Sequence, residues 1–293
     1  MSTSASRTAP RIVPQIEPDP LLARYDVVLL DSYGVLVDEH GALPGAAPFL
    51  SRLREAGRRF MVLSNDASRQ PHSSIARYRA RGLSIEPAQL LTSGDLLAPH
   101  FAAEGLAGRR CVVLGPPDSE ALVANAGGVV IPRDDPTLEV LVVCDDEGYS
   151  FRETIEALIG TLYARAEAGE PVHLVLPNPD RIYPRGPGQF GLTAGSVAAV
   201  IEGALALRWP DDPPRFYGLG KPHAAIFETA LSRLGVGEHE RDRVVMVGDQ
   251  LATDIAGAHG VGIDSVLVGT GVCDPRRLPK RGPRPTWWMR AVG

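Results

Sequence analysis

The chain has 293 residues, of which 44% are hydrophobic and 22% charged, and a formal net charge of −5. This length accommodates one large domain or two of ordinary size, and the negative charge argues against a nucleic-acid partner, which needs a basic face. Three cysteines without zinc-ligand spacing indicate thiols in a reducing compartment. Because no apolar run reaches about 20 residues and no signal peptide is evident, we predict a cytoplasmic protein with no membrane partner.

The first third of the chain predicts a parallel sheet. Apolar runs at 27–30 and 59–63 end at Asp31 and Ser64, and helical patterns follow at 46–56 and 71–81. Buried parallel strands carry uninterrupted apolar runs, and crossover helices connect them. A third strand is predicted over 90–94. Residues 1–19, which are rich in Ser, Thr and Pro, are predicted to be a flexible arm.

A second set of strands and helices follows. We predict strands at 110–114, 128–131, 139–144 and 172–176, and a helix at 151–168. Asp145 and Asp146 end the third of these strands and are expected to face solvent. Asn178 and Asp180 form either an Asx turn or a contact with substrate, and the sequence leaves both open. The Gly- and Pro-rich stretch 183–191 is predicted to be a linker or a substrate loop.

The last third returns to the pattern of the first. Helices are predicted at 196–207 and 224–234, and a short strand at 215–218 presents Lys221. A buried strand at 244–247 delivers Asp249, Asp254 lies on the next helix, and a final strand covers 265–268. The tail with Trp287 and Trp288 receives no assignment.

Four strand ends therefore carry polar side chains, namely Asp31, Ser64, Lys221 and Asp249. In an open α/β sheet, the ends of parallel strands meet at one edge, where chemistry gathers. The set fits phosphoryl transfer, which depends on positioning and on charge neutralisation. Asp31 would attack phosphorus and share a divalent cation with Asp249, while Lys221 and Ser64 would bind phosphoryl oxygens. Magnesium suits such a carboxylate site.

The motifs DSYGVLVD, LSNDASR, GKPHAAIF and VMVGDQLATDIAGAHGVG occur in that order, and with them the chain resembles the haloacid-dehalogenase superfamily of aspartate-nucleophile hydrolases. The long interval between Asn65 and Lys221 is similar to class IIA, whose members include sugar-phosphate, phosphoglycolate, pyridoxal-phosphate and nitrophenyl phosphatases. The resemblance implies a doubly wound, Rossmann-like α/β core from residues 20–92 and 196–293. It also implies an inserted α/β cap over 93–195.

The resemblance also implies roles for individual residues. The catalytic pair would be Asp31, as nucleophile, and Lys221. The phosphate and the rest of the substrate would be bound by Ser64, Asn65, Lys221, Asn178 and Asp180. Mg²⁺ would be held by Asp31, the backbone carbonyl of Tyr33, Asp249 and Asp254, the last either directly or through a neighbour. The expected partner is a small phosphorylated substrate, and the resemblance leaves a homodimer open.

One position departs from the resembling phosphatases. They have an Asp two residues after the nucleophile as general acid and base, and this chain has Tyr33 there. We therefore expect a phosphatase that is slow on unactivated esters. Two alternatives stay open, a metal-free haloacid dehalogenase and a catalytically reduced protein that only binds a phosphorylated ligand. Against the dehalogenase, there is no room for a cap between Asp31 and Ser64, and Asp249 and Asp254 form a metal-type motif.

Overall fold

Strands and helices alternate along the chain in this computed structural model, which describes residues 13–186 and 188–293. The strands are β1 (Val27–Asp31), β2 (Arg59–Ser64), β3 (Leu90–Thr92), β4 (Arg110–Leu114), β5 (Val129–Val130), β6 (Val140–Val143), β7 (His173–Leu176), β8 (Ile182–Gly186), β9 (Gln189–Leu192), β10 (Tyr217–Gly218), β11 (Val244–Gly248), β12 (Asp264–Val268) and β13 (Trp287–Met289). The helices are α1 (Pro18–Arg24), α2 (Ala46–Glu55), α3 (Pro71–Ala80), α4 (Leu97–Ala103), α5 (Pro117–Asn125), α6 (Phe151–Glu167), α7 (Ala194–Leu205), α8 (Ala224–Arg233) and α9 (Ala256–Gly260). A turn of π-helix, Leu251–Ile255, precedes α9.

The first sheet has six parallel strands in the order β13-β12-β11-β1-β2-β3. Leu30 pairs with Val247 on one side and with Val62 on the other, so β1, β2 and β11 end side by side. Side chains alternate between the two faces of a strand. Leu29 and Leu30 accordingly lie in different hydrophobic clusters, one on each side of the sheet. The predicted doubly wound α/β core is confirmed.

The second sheet has five parallel strands in the order β10-β7-β6-β4-β5. Helices α6 and α7 cover one of its faces, and Leu158 and Ile201 pack there in a third cluster. On the other face, Phe101 of α4 and Leu122 of α5 belong to a cluster that contains residues of both sheets. The two sheets therefore share hydrophobic packing.

The second sheet extends further along the chain than residue 195, the predicted end of the cap. Helix α7 packs on it, and β10 pairs with β7 with Gly218 opposite Leu176. We therefore propose an inserted unit that runs from residue 93 to Gly218, where β10 ends. This segment is the inserted unit, and the rest of the described chain is the core.

Two predictions about irregular segments need correction, and the unassigned tail also has regular structure. Residues 183–191 are not a linker, because β8 and β9 form an antiparallel hairpin. The unassigned tail contributes β13, an edge strand next to β12. The predicted arm is wrong for residues 13–19, since Ile16 is buried and pairs with the tail and α1 begins at Pro18, while residues 1–12 lie outside the described residues. Within the described ranges, no helix is both long and apolar enough to cross a bilayer.

Candidate active site

Asp31 ends β1 at the centre of a cluster of buried charges. The Nζ of Lys221 lies 2.5 Å from Asp31 Oδ1 and 2.7 Å from Asp254 Oδ1. The Lys221 side chain is 1% exposed, so its ammonium group is fixed against both carboxylates without competition from water. The predicted juxtaposition of Asp31 and Lys221 is present, although 190 residues separate them in the sequence.

Asn65 fixes the backbone of Lys221. Its Oδ1 accepts a hydrogen bond from the Lys221 N–H at 2.7 Å, and its Nδ2 donates to the Lys221 carbonyl at 2.9 Å. Asn65 follows Ser64 at the end of β2, so one loop supplies a candidate phosphate-binding hydroxyl and the support of the lysine. The amide of Asn65 is occupied by these two bonds, which favours a positioning role over the predicted contact with phosphate.

The carboxylates of Asp249 and Asp254 have different surroundings. Asp254 Oδ2 accepts hydrogen bonds from the N–H groups of Asp249 and Gln250, both at 3.0 Å, while its Oδ1 faces Lys221. Asp249 Oδ2 accepts from the Val272 N–H at 2.7 Å. Asp249 Oδ1 is buried and has no hydrogen-bond partner among the described residues. A buried polar atom without a partner is costly, so this oxygen is a candidate ligand for a cation.

A divalent cation fits this cluster. Carboxylate oxygens of Asp31, Asp249 and Asp254 lie within 4.8 Å of one another. Hard oxygen donors of this kind suit Mg²⁺. Because both oxygens of Asp254 are already bonded, its geometry favours orienting Asp249 and Lys221 over direct ligation. The structure thus brings the three predicted carboxylates together, with Asp31 and Asp249 as the better placed ligands, and the part of the Tyr33 carbonyl stays a prediction.

The charges of the cluster shift each other's ionisation. Burial raises the pKa of Asp31 to about 7, although the Lys221 ammonium opposes this shift. Burial and the charge of Asp31 raise the pKa of Asp249 well above its ordinary value. Burial lowers the pKa of Lys221, but Asp254 and Asp31 outweigh it, so the lysine stays protonated. The carboxylates exceed the ammonium in number, and a bound cation would offset the difference.

A cavity of about 230 Å³ opens above Asp31 between the core and the inserted unit. The core contributes Asp31, Tyr33, Glu39, Ser64, Asn65, Asp66, Ser68, Arg69, Arg77 and Gln250. The inserted unit contributes Asp145, Asp146, Glu147, Asn178, Asp180, Tyr183, Leu192 and Thr193. A small ligand in this space would be in reach of groups from both parts of the chain.

Tyr33 lines the cavity, but its hydroxyl is held elsewhere. Arg77 donates a hydrogen bond to this hydroxyl, and its guanidinium lies over the ring at 5.3 Å. On the other side, the ring of Tyr183 from the β8–β9 hairpin packs edge to face on Tyr33, with centroids 5.4 Å apart. Tyr33 therefore joins the core to the hairpin.

Asn178 and Asp180 show that the two interpretations left open by the sequence are compatible. Asn178 Oδ1 accepts a hydrogen bond from the Asp180 N–H at 3.0 Å, which is the Asx turn. Both residues also line the cavity. Burial raises the pKa of Asp180 to about 6, with Lys221 opposing and Asp254 reinforcing the shift.

Sequence reasoning missed several residues of the cavity. Asp145 and Asp146 line it together with Glu147, so the prediction that the first two face solvent is wrong. They follow the end of β6, and the strand-end rule applied to Asp31 could have found them. Arg69 lies within the quoted motif LSNDASR, whereas no local pattern marks Arg77, which reaches the cavity from α3.

The chain is similar in sequence to known proteins. A family model described as haloacid dehalogenase-like hydrolase matches residues 28–128, and one described as HAD-hydrolase-like matches residues 218–292. The chain is 31% identical to dihydroxyacetone phosphatase of Corynebacterium glutamicum (strain R), over 90% of this chain and 88% of the relative. It is 27% identical to an acid sugar phosphatase of Staphylococcus saprophyticus, over 92% of this chain and 96% of the relative.

Solved structures agree with the sequence relatives. A possible sugar phosphatase of Cytophaga hutchinsonii superposes with a TM-score of 0.83 and 26% identity, over 96% of this chain and 98% of that one. The chain belongs to the haloacid dehalogenase-like hydrolases. Within them it is an enzyme of the phosphatase class.

Proposed function

We propose that the enzyme is a Mg²⁺-dependent phosphatase that uses Asp31 as nucleophile on a small phosphorylated metabolite. A sugar phosphate is the substrate class that the observations support best. The observation that carries this proposal is the buried trio of Asp31, Lys221 and Asp249, of which Asp31 lines the cavity. Asp31 lies 2.5 Å from the Lys221 ammonium, beside the unpartnered Oδ1 of Asp249. A nucleophile, a fixed positive charge and an open cation ligand are what phosphoryl transfer requires.

In the proposed reaction, an Asp31 oxygen attacks phosphorus and the bond from phosphorus to the ester oxygen breaks. Water then attacks the aspartyl-phosphate, which releases inorganic phosphate and restores Asp31. Lys221 and the Ser64 hydroxyl would bind phosphoryl oxygens throughout. Mg²⁺, held by Asp31, Asp249 and the Tyr33 backbone carbonyl, would neutralise negative charge on the phosphoryl group.

The substrate class follows from the size and polarity of the cavity. Its volume of about 230 Å³ is below the roughly 300–1,000 Å³ of sites that hold drug-sized ligands. Asp145, Asp146 and Glu147 form one wall and can accept hydrogen bonds from several hydroxyl groups. The relatives named above as sugar and dihydroxyacetone phosphatases support the same substrate class.

The test is a panel of sugar phosphates, an aryl phosphate and 2-haloacids, each assayed with Mg²⁺ and with excess chelator. We expect hydrolysis of phosphate esters only when Mg²⁺ is present. Asp31→Asn should abolish turnover, and Asp249→Asn should remove most of the Mg²⁺-dependent rate. Asp212→Asn changes an exposed carboxylate in the same way and serves as the matched control.

Other outcomes would favour the alternatives. Chelator-resistant release of halide would indicate a dehalogenase, against which the position of the inserted unit between Ser64 and Lys221 argues. Saturable binding of a phosphorylated ligand without turnover of any ester would indicate a protein that only binds. A homodimer stays a prediction, and light scattering of the purified enzyme measures it directly.

A further inference from the structure

We infer that Asp180 gives the leaving oxygen its proton, in place of the acid that is absent at position 33. The inference rests on the phosphatase reaction proposed above and identifies a further catalytic residue for it. It answers a chemical need, since an alkoxide is a poor leaving group and position 33 holds a tyrosine and no carboxyl group. A positioned general acid is typically worth about 10²–10⁴-fold in rate.

Asp180 is held close to the reacting centre by its own loop. It lines the same cavity as Asp31 and Ser64, and its side chain lies beside those of Asn65 and Thr253. Its charge is near enough to raise the pKa of Asp31. The inserted unit thus extends a carboxyl group toward the cluster on the floor of the cavity.

The backbone of Asp180 is held by hydrogen bonds, whereas one of its two carboxyl oxygens has no partner among the described residues. Its N–H donates to Asn178, and its carbonyl accepts from the Gly195 N–H at 3.0 Å and from the Thr193 hydroxyl. By contrast, Asp180 Oδ1 is buried and has no hydrogen-bond partner in the described part of the chain. A fixed main chain with an uncommitted carboxyl oxygen is the arrangement that a proton donor needs.

Two other carboxyl groups of the cavity are already committed. Asp66 accepts hydrogen bonds from Ser68 and Arg69, and both oxygens of Glu39 are bound by Arg185. Asp146 is the rival candidate, since it lines the cavity and its pKa is raised to about 7 by burial and by Asp145. It lies beyond β6, however, whereas Asp180 is among the charges with the largest effect on the pKa of Asp31.

The ionisation of Asp180 is compatible with this role. Burial raises its pKa to about 6, so a useful fraction of the carboxyl group carries a proton near neutral pH. As the bond from phosphorus to the ester oxygen breaks, the Asp180 proton moves to that oxygen and gives the free alcohol. Asp180 then takes a proton from the water that attacks the aspartyl-phosphate. The cycle ends with alcohol, inorganic phosphate and both carboxyl groups in their starting states.

The experiment compares two leaving groups in single turnovers with Mg²⁺. Glycerol phosphate releases an alcohol that needs a proton, whereas p-nitrophenyl phosphate releases a stable phenolate. With Asp180→Asn, we expect alcohol release from glycerol phosphate to slow about 100-fold, while the burst of nitrophenolate changes less than about threefold. Steady-state turnover of the aryl ester should fall after the burst, because the variant also lacks the base of the second step.

Comparison variants identify the responsible group. With both esters at saturating concentration, where a lost contact to substrate hydroxyl groups affects binding and not the release rate, Asp146→Asn should leave the ratio of the two release rates within about threefold of the wild-type ratio. Asp212→Asn should change neither rate. Thermal unfolding of Asp180→Asn shows whether the fold is retained. Asp180→Glu keeps the carboxyl group and should recover part of the glycerol phosphate rate.

Three results would overturn the inference. Equal slowing of both esters in Asp180→Asn would show a structural role. An unchanged rate of glycerol phosphate cleavage in the same variant would show that Asp180 has no role. A selective loss of glycerol phosphate cleavage in Asp146→Asn would assign the proton to Asp146. Failure of the proposed function looks different. In that case the wild-type enzyme would release no nitrophenolate in the presence of Mg²⁺.

Discussion

Asp249 is confined on two sides by glycine residues. A Cβ atom on Gly34, whose φ is +79°, would lie 2.4 Å from Asp249 Oδ2, and one on Gly271 would lie 1.9 Å from the same oxygen. The Thr270 hydroxyl donates to the Gly34 carbonyl and keeps the two turns together. These glycines let the backbone close around the carboxylate, and Oδ1 is left without a partner among the described residues and so available to the proposed cation.

Gly271→Ala should therefore displace Asp249 and weaken the binding of Mg²⁺. We expect the Mg²⁺ concentration for half-maximal activity to rise about 10- to 100-fold, the usual range when a ligand loses its support. Gly269→Ala is the matched control in the same turn, because its Cβ would meet no atom closer than 3.3 Å. Equal effects of the two substitutions would show that the turn, and not Asp249, is disturbed.

Tyr33 gives a second prediction at this scale. Tyr33→Phe removes only the hydroxyl that Arg77 holds, so we expect the ratio of alkyl to aryl ester turnover to stay the same. Tyr33→Asp would place a carboxyl group two residues after the nucleophile and should raise turnover of the alkyl ester more than that of the aryl ester. If Tyr33→Phe instead lowers alkyl turnover selectively, the tyrosine is itself the acid.

The sequence was informative for residues that stand at strand ends. Asp31, Ser64 and Asp249 each follow an apolar run, and parallel strands place such residues at one edge without further information. The bonds from Asn65 to Lys221 cross 156 residues, so no local pattern could reveal that the amide supports the lysine. The same limit applies to the unpartnered oxygen of Asp180, which depends on packing between distant segments.

At the scale of elements, the edge strand β13 is held by a buried tyrosine in α1's C-terminal cap. The Tyr25 hydroxyl donates to Asp264 Oδ2 at 2.6 Å and accepts from Trp287 Nε1 at 2.8 Å. Gln15 also bridges to Trp288, so both ends of the described chain meet at β13. Burial and the Asp264 carboxylate raise the pKa of Tyr25 to about 12.

Tyr25→Phe should leave the Trp287 N–H and the Asp264 carboxylate without this partner. We expect the free energy of unfolding to fall by about 1 kcal/mol. This is the lower end of the range for a buried group that loses its hydrogen bond, because Asp264 is partly exposed. The urea midpoint of unfolding measures it. Tyr217→Phe removes the hydroxyl of an exposed tyrosine and should change the midpoint little. Equal shifts for both would contradict the role of the Tyr25 bonds.

The elements that sequence reasoning missed had weak local signals. Pro184 and three glycines in 183–191 favour a loop, yet the hairpin forms because β8 and β9 pair with each other and pack on Tyr33. The tail has only three residues in β13, and it is a strand because β12 offers a free edge. In both cases tertiary contacts outweigh local propensity.

At the scale of the whole molecule, the hairpin closes the cavity against the core. Arg185 binds Glu39 through two hydrogen bonds of 2.6 and 2.9 Å, next to the contact between Tyr183 and Tyr33. The Arg185–Glu39 pair is exposed to solvent, where ion pairs contribute little to the free energy of unfolding. Its effect should therefore appear in substrate binding and not in global stability.

Arg185→Ala should raise KM for a sugar phosphate about two- to fivefold without changing the unfolding midpoint, because a weak exposed bond is lost. Glu39→Gln should have a similar effect, and the double variant should add little to either. Arg208→Ala breaks an ion pair of comparable exposure with Glu167 inside the inserted unit and is the control. Fully additive effects of the two substitutions would show that the pair is not the closing contact.

The return of the chain from the inserted unit to the core is very short. Gly218 ends β10, Leu219 and Gly220 donate to the carbonyls of Leu176 and Pro177, and Lys221 follows at once. A movement of the inserted unit relative to the core would displace the Lys221 backbone, which the two hydrogen bonds to Asn65 hold in place. The short connection therefore leaves almost no slack between the inserted unit and the ammonium group that faces Asp31, so any displacement of that unit would act directly on the proposed catalytic lysine.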